Sequence, residues 1–176
     1  MKARFLALAL FGSLMLAFGA IAAGCGDDGG GGALTLEEFF QRVQELDDEF
    51  ESRTDELDSQ FNELDEGSSV DDAVDLLEQQ VALVEEFIDG LADLEPPDEA
   101  ADLHAEAVDA GRDVEDAFNG LLDQAQDAGS IDELFGTFES GEFDEVFARF
   151  EQVCLDAEQL AADNGITVDF DCEEEE

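Results

Sequence analysis

The chain has 176 residues, 50 acidic and 6 basic, for a formal net charge of −44. No basic face is available to meet phosphate, so nucleic acid is excluded as a partner, and so is charge-driven binding to anionic lipid head groups. Hydrophobic residues make up 44% of the chain, an ordinary globular share, so the acidity alone does not make it disordered.

The N-terminus reads as an export signal. Lys2 and Arg4 give a short positive start, residues 5–23 are apolar or small apart from Ser13, and Ala22-Ala23-Gly24-Cys25 follows. Small residues just ahead of a cysteine fit a bacterial lipobox. On that reading residues 1–24 are a lipoprotein signal peptide, and Cys25 becomes the first mature residue and carries the lipid, palmitate among its acyl chains. Two other readings compete. One is ordinary signal-peptidase cleavage at Ala20-Ile21-Ala22; the other is a retained membrane helix, for which the apolar run is just long enough.

Cysteine counting favours lipidation, because three thiols in an exported protein leave one over. With Cys25 carrying the lipid, Cys154 and Cys172 remain as a pair suited to an oxidising compartment. Residues 25–34 then form the lipidated cysteine and a Gly-rich tether spanning roughly 16 Å root-mean-square. Removal of Lys2 and Arg4 leaves Arg42, Arg53, Arg112 and Arg149 as the basic residues set against 50 acidic ones. Self-repulsion on this scale is tolerable in saline and damaging in dilute buffer, and it points to cations or basic protein surfaces as partners.

Residues 35–172 read as a helical bundle domain, with 173–176 as an acidic tail. The first helix opens on Thr35-Leu36-Glu37-Glu38, a capping box. Leu36, Val43, Phe50, Leu57 and Leu64 then recur every seventh residue, and the pattern runs to about Glu66, before Gly67. A second helix starts at Ser68 or Ser69 and carries Val70, Val74, Leu77, Val81, Val84, Ile88 and Leu91 in alternating steps of four and three. Pro96-Pro97 ends it, and Pro97 can open the third helix. The third stripe is Ala100, His104, Val108, Gly111, Val114, Phe118 and Leu121, closed by Gly129. Ser130-Ile131-Asp132-Glu133 is a further capping box, opening a short helix with Leu134, Phe135 and Phe138. The last helix runs from about Phe143 to a stop at Asn164-Gly165. Ile166, Val168 and Phe170 alternate with polar residues as an extended strip, which a Cys154–Cys172 bond would tie back to that helix. The fold class is therefore all-α: an antiparallel four-helix bundle with one extra short helix and a disulfide-held C-terminal strip.

Few residues point to chemistry. His104 has Ala100, Ala101, Ala107 and Val108 at helical spacing, which places it on the apolar stripe. It is either a ligand-binding or proton-transfer group inside the bundle or a structural histidine bonded to a polar group on another helix, and buried polar groups in general have such partners. One histidine makes no histidine-rich metal site, and residue 101 is alanine, so the Glu-x-x-His pair of di-iron bundles is absent. No calcium loop, phosphate loop, nucleophile elbow or C-x-x-C redox spacing is present, and no cofactor is implied. Gly111 on the stripe reads as a point of close packing against a bulky phenylalanine.

The lipobox, the Gly-rich tether, Leu34-Thr35-Leu36-Glu37-Glu38-Phe39-Phe40, Leu94-Glu95-Pro96-Pro97 with His104 seven residues on, and the late Cys154/Cys172 pair together resemble uncharacterised helical lipoproteins of actinobacteria. That resemblance implies no catalytic residue. The expected function is a non-enzymatic interaction or structural module of the cell envelope, extracytoplasmic and anchored to the membrane through a lipid on Cys25. The alternative is a module binding a small ligand or metal ion inside the bundle near His104.

Overall fold

The computed structural model of the chain describes residues 34–64, 68–130, 133, 134, 142–170 and 172, with only the backbone for 142–144. The export signal, Cys25, the tether, the acidic tail and most of the short helix expected after Ser130 lie outside these residues. Among the described residues there are four helices and no strand: α1 Leu36–Glu63, α2 Val70–Ala92, α3 Ala101–Asp127 and α4 Glu142–Asp163.

The helix ends follow from local chemistry. Thr35 caps α1: its hydroxyl accepts from Glu38 N–H, and the Glu38 carboxylate accepts from Thr35 N–H at 3.0 Å. Ser69 and Asp72 build the same reciprocal pair at the start of α2. Hydrogen bonds from the Thr35 hydroxyl and then its backbone hold the Glu38 carboxyl below the usual range, and Ser69 does the same for Asp72. At the far end of α4, Gly165 takes φ +73°, Ile166 N–H reaches Ala161 O at 2.9 Å and Gly165 N–H reaches Ala162 O at 3.0 Å. This crossed pair of bonds is the Schellman ending that Asn164-Gly165 leads one to expect.

Two boundaries differ from the sequence reading, those of α1 and α3, while α2 ends ahead of its proline pair. α1 stops at Glu63, where Leu64 turns extended, rather than running to Glu66. α2 ends at Ala92, since Pro96 and Pro97 have no N–H to offer the carbonyls four residues back. α3 begins at Ala101 instead of Pro97. Pro97 heads a tighter turn in which Ala100 N–H bonds Pro97 O at 2.9 Å, and the first α-type bond is His104 N–H to Ala100 O at 2.8 Å. Ala100 has no side-chain acceptor to fix a cap any earlier.

Helices that follow one another in sequence pack together: α1 on α2, α2 on α3 and α3 on α4. Being in the middle, α2 needs two apolar stripes. Toward α3 it turns the series Leu77, Val81, Val84, Ile88 and Leu91, with Ile88 seated over Gly111. Toward α1 it turns a second series, Leu76, Gln80, Leu83, Phe87 and Gly90, also spaced by fours and threes. Two contacts identify this second face. Phe87 stacks on Phe50 with ring centroids 4.9 Å apart, and Gly90 admits the Leu46 side chain. On α1 the buried residues are Phe39, Phe40, Thr54, Leu57 and Phe61, whereas Leu36, Val43, Phe50 and Leu64 of the seven-residue series are only partly covered.

Gly111 corrects one expectation. Its neighbour is Ile88, not a phenylalanine: a Cβ at residue 111 would lie 2.1 Å from Ile88 Cδ1. The flat glycine surface lets a branched side chain from α2 press onto the α3 backbone.

The core has two parts. The larger fills the seams between helices, from Leu57 and Phe61 through Leu77, Val84 and Ile88 to Val114, Phe118 and Leu121. The smaller closes one end, where Phe39 and Phe40 of α1 meet Ala100, Ala161 of α4, and Phe170 and Cys172 of the C-terminal segment. Leu34 N–H bonds Glu95 O at 3.1 Å, pinning the entry of the body to the connection between α2 and α3 at that same end.

Candidate functional site

His104 sits one turn into α3, where three helices meet. Its Nε2 lies 2.8 Å from the carbonyl oxygen of Leu91, in the last turn of α2. A carbonyl only accepts, so Nε2 carries the proton and donates. That oxygen belongs to the group of helix-end carbonyls that lack an intrahelical partner, and it also accepts from Leu94 N–H at 3.1 Å. The ring edge meets Phe39 of α1 at 5.8 Å between centroids, at an interplanar angle of 76°. His104 is therefore half-buried and joins the start of α1 to the end of α2.

The two late cysteines are joined. Cys154 on α4 and Cys172 form a disulfide with Cα atoms 5.5 Å apart, closing a separation of 18 residues. The segment of residues 166–170 has no regular secondary structure. Its burial alternates: Ile166 and Val168 are half-covered, Thr167 and Asp169 exposed, and Phe170 buried beside Phe40 at 6.2 Å. The remaining sequence-predicted site residue, Cys25, lies outside the described residues.

A second polar feature involves residues of α1 and α2, and sequence reasoning did not find it. Thr54 and Gln80 are only 5% and 4% exposed, yet Thr54 Oγ1 and Gln80 Oε1 have no hydrogen-bond partner among the described residues; nor has Asp58 Oδ1, which is equally covered as an atom. Burial pushes the Asp58 carboxyl up from 3.8 to about 6, and repulsion from Asp55 adds to the shift. The signal for this feature was Gln80 within the second apolar series of α2. The sequence reading followed only the series that faces α3.

Three of the arginines are committed to single bridges on the rim. Arg42 pairs with Glu45 at 2.8 Å within α1, Arg53 with Glu86 at 2.5 Å across the α1–α2 seam, and Arg149 with Asp113 across α3 and α4. All three are well exposed and contribute little to stability. Among the described residues, no group of three or more His, Cys, Asp or Glu side chains is placed to hold a metal ion, and no helix is long and apolar enough to cross a membrane. One surface depression is lined by Glu158, Gly165, Ile166 and Val168 and another by Leu34, Glu38 and Arg42; His104 lines neither. Comparison of the chain with protein-family models, with curated proteins and with solved structures found no match.

Proposed function

We propose that the chain is an extracytoplasmic lipoprotein, anchored to the membrane by a lipid on Cys25, whose folded body is a non-enzymatic interaction or structural module of the cell envelope. The observation that carries this reading is the pairing of the cysteines. Cys154 and Cys172 are bonded to each other, which leaves Cys25, directly after Ala22-Ala23-Gly24, as the thiol available for acylation. Two or more acyl chains suffice for stable anchoring, and the Gly-rich residues 26–33 hold an acidic body away from an acidic membrane face.

The body is an antiparallel four-helix bundle in this proposal. The register of side-chain contacts supports it. Residue numbers rise on α1 from Leu46 to Phe50 to Arg53 while they fall on α2 from Gly90 to Phe87 to Glu86. His104 and Gly111 meet Leu91 and Ile88, and Asp113 and Phe118 meet Arg149 and Phe147, in the same opposed order. The role of His104 in such a body is to tie helices together, because the nitrogen that faces α2 donates to a main-chain carbonyl. The strongly acidic surface suits cations or basic protein surfaces as partners.

Acylation is tested on protein expressed in a bacterium that processes lipoproteins, by intact mass and detergent phase partitioning. The expected product begins at Cys25, carries a diacylglyceryl group and enters the detergent phase, while Cys25→Ser enters the aqueous phase. A wild-type product with an unmodified N-terminus and aqueous partitioning overturns the proposal.

A further inference from the structure

Three side-chain oxygens of α1 and α2 have no hydrogen-bond partner among the described residues: Thr54 Oγ1, Asp58 Oδ1 and Gln80 Oε1. Their placement follows from the register of the two helices. Leu46 lies against Gly90, Phe50 against Phe87 and Arg53 against Glu86. Continued down the seam, that opposed count brings Asp58 level with Gln80. Thr54 is one turn from Asp58 on the same side of α1, about 6 Å along the axis. Gln80 itself belongs to the α2 series that includes Phe87 and Gly90, so it faces α1.

Charge then decides what these oxygens require. Asp58 is partly withdrawn from water, Asp55 about one turn back on α1 repels it, and the cross-seam cation, Arg53, is engaged with Glu86. A water molecule can donate to only two of these oxygens and would leave the carboxylate uncompensated. A cation satisfies both demands. One carboxylate with two neutral oxygens balances a single positive charge, and hard oxygen donors select hard ions. Only three protein oxygens are offered, which suits a small ion with a small coordination shell over a large one.

We propose that the α1–α2 seam binds a sodium ion through Thr54, Asp58 and Gln80, with water completing its shell. The ion neutralises a half-buried carboxylate and clamps the two helices together. The site is independent of Cys25 and of the membrane role, so either proposal can fail without the other.

The test is thermal unfolding of the full chain in chlorides of sodium, potassium and tetramethylammonium at one ionic strength, so that general screening is equal in all three. Sodium at about ten times its dissociation constant raises the folded-to-unfolded ratio roughly elevenfold. For a body of this size that is a rise in Tm of roughly 4–5 °C over tetramethylammonium. The rise should disappear in Asp58→Asn and in Gln80→Leu, and persist in Asp89→Asn, which removes an exposed acid of α2 away from the seam. Equal Tm in sodium and tetramethylammonium overturns the site, and so does a sodium effect that survives in Asp58→Asn. Equal Tm in sodium and potassium overturns the choice of the smaller ion.

Discussion

Gly111 and Gly120 occupy the same helix in opposite surroundings, and alanine at the two positions should have opposite effects. Replacing glycine inside a helix recovers backbone entropy worth about 1 kcal/mol at either site. At Gly120 nothing stands within 4 Å of the added Cβ, so Gly120→Ala should stabilise by that full amount and raise Tm by roughly 3–4 °C. At Gly111 the Cβ lands 2.1 Å from Ile88 Cδ1 and 3.0 Å from Cγ1, against an ordinary carbon contact of about 3.5–4 Å. Ile88 would have to retreat by more than an ångström, and at 3% exposure it has no open space to enter. Overpacking of this kind costs up to about 3 kcal/mol, so Gly111→Ala should destabilise by about 2 kcal/mol net. The double variant isolates the cause. Ile88→Val removes Cδ1 and alone costs about 0.5–1.5 kcal/mol, but combined with Gly111→Ala it should recover at least about 1 kcal/mol of coupling. Urea unfolding monitored by circular dichroism measures all four proteins. A Gly111→Ala protein as stable as Gly120→Ala would refute the close approach of α2 to α3.

Asp58 makes a pH prediction. Its folded value, about 6, exceeds the unfolded 3.8, so the folded state holds the extra proton between these limits. Stability from this group is complete below pH 4 and is lost as pH rises through 6, by about 1–2 kcal/mol once the partial exposure of the carboxyl is allowed for. In tetramethylammonium chloride, Asp58→Asn should therefore be more stable than wild type at pH 7.5 and lose that advantage at pH 4; unfolding curves of equal offset at both values reject the assignment. His104→Ala should cost about 1–2 kcal/mol in urea unfolding. It removes the bond to Leu91 and the contact with Phe39, while the Leu91 carbonyl keeps its bond from Leu94. His104→Phe, which retains an aromatic edge for Phe39, should recover part of that loss, and an unchanged midpoint for His104→Ala would remove the residue from the stabilising contacts.

What the sequence discloses depends on how far apart the interacting residues lie. Thr35 with Glu38 and Asn164 with Gly165 are local signals, and the helix ends stand where those residues put them. The Cys154–Cys172 bond was legible because counting alone leaves that pair once Cys25 is set aside. The start of α3 was less legible. A proline can open a helix or head a tighter turn, and the choice falls to Ala100, which has no side chain to cap with. The stripe on α3 was plain, but its partner was not: a glycine announces a close approach without naming what approaches, and Ile88 follows only from the register of two helices. The candidate cation seam is the extreme case. Thr54, Asp58 and Gln80 read singly as ordinary surface residues in a chain with 50 acids. Period analysis finds the strongest apolar series of a helix, yet a helix between two neighbours has two series, and the weaker one on α2 has a glutamine in its middle. Given that second series, the burial of Gln80 follows from the requirement that α2 contact α1 and α3 at once, and the unmet oxygens opposite it follow from the same register. The polar seam is thus a consequence of where α2 sits in the chain order, and a helix at either end of the sequence, with one neighbour to cover, would have left that glutamine in water.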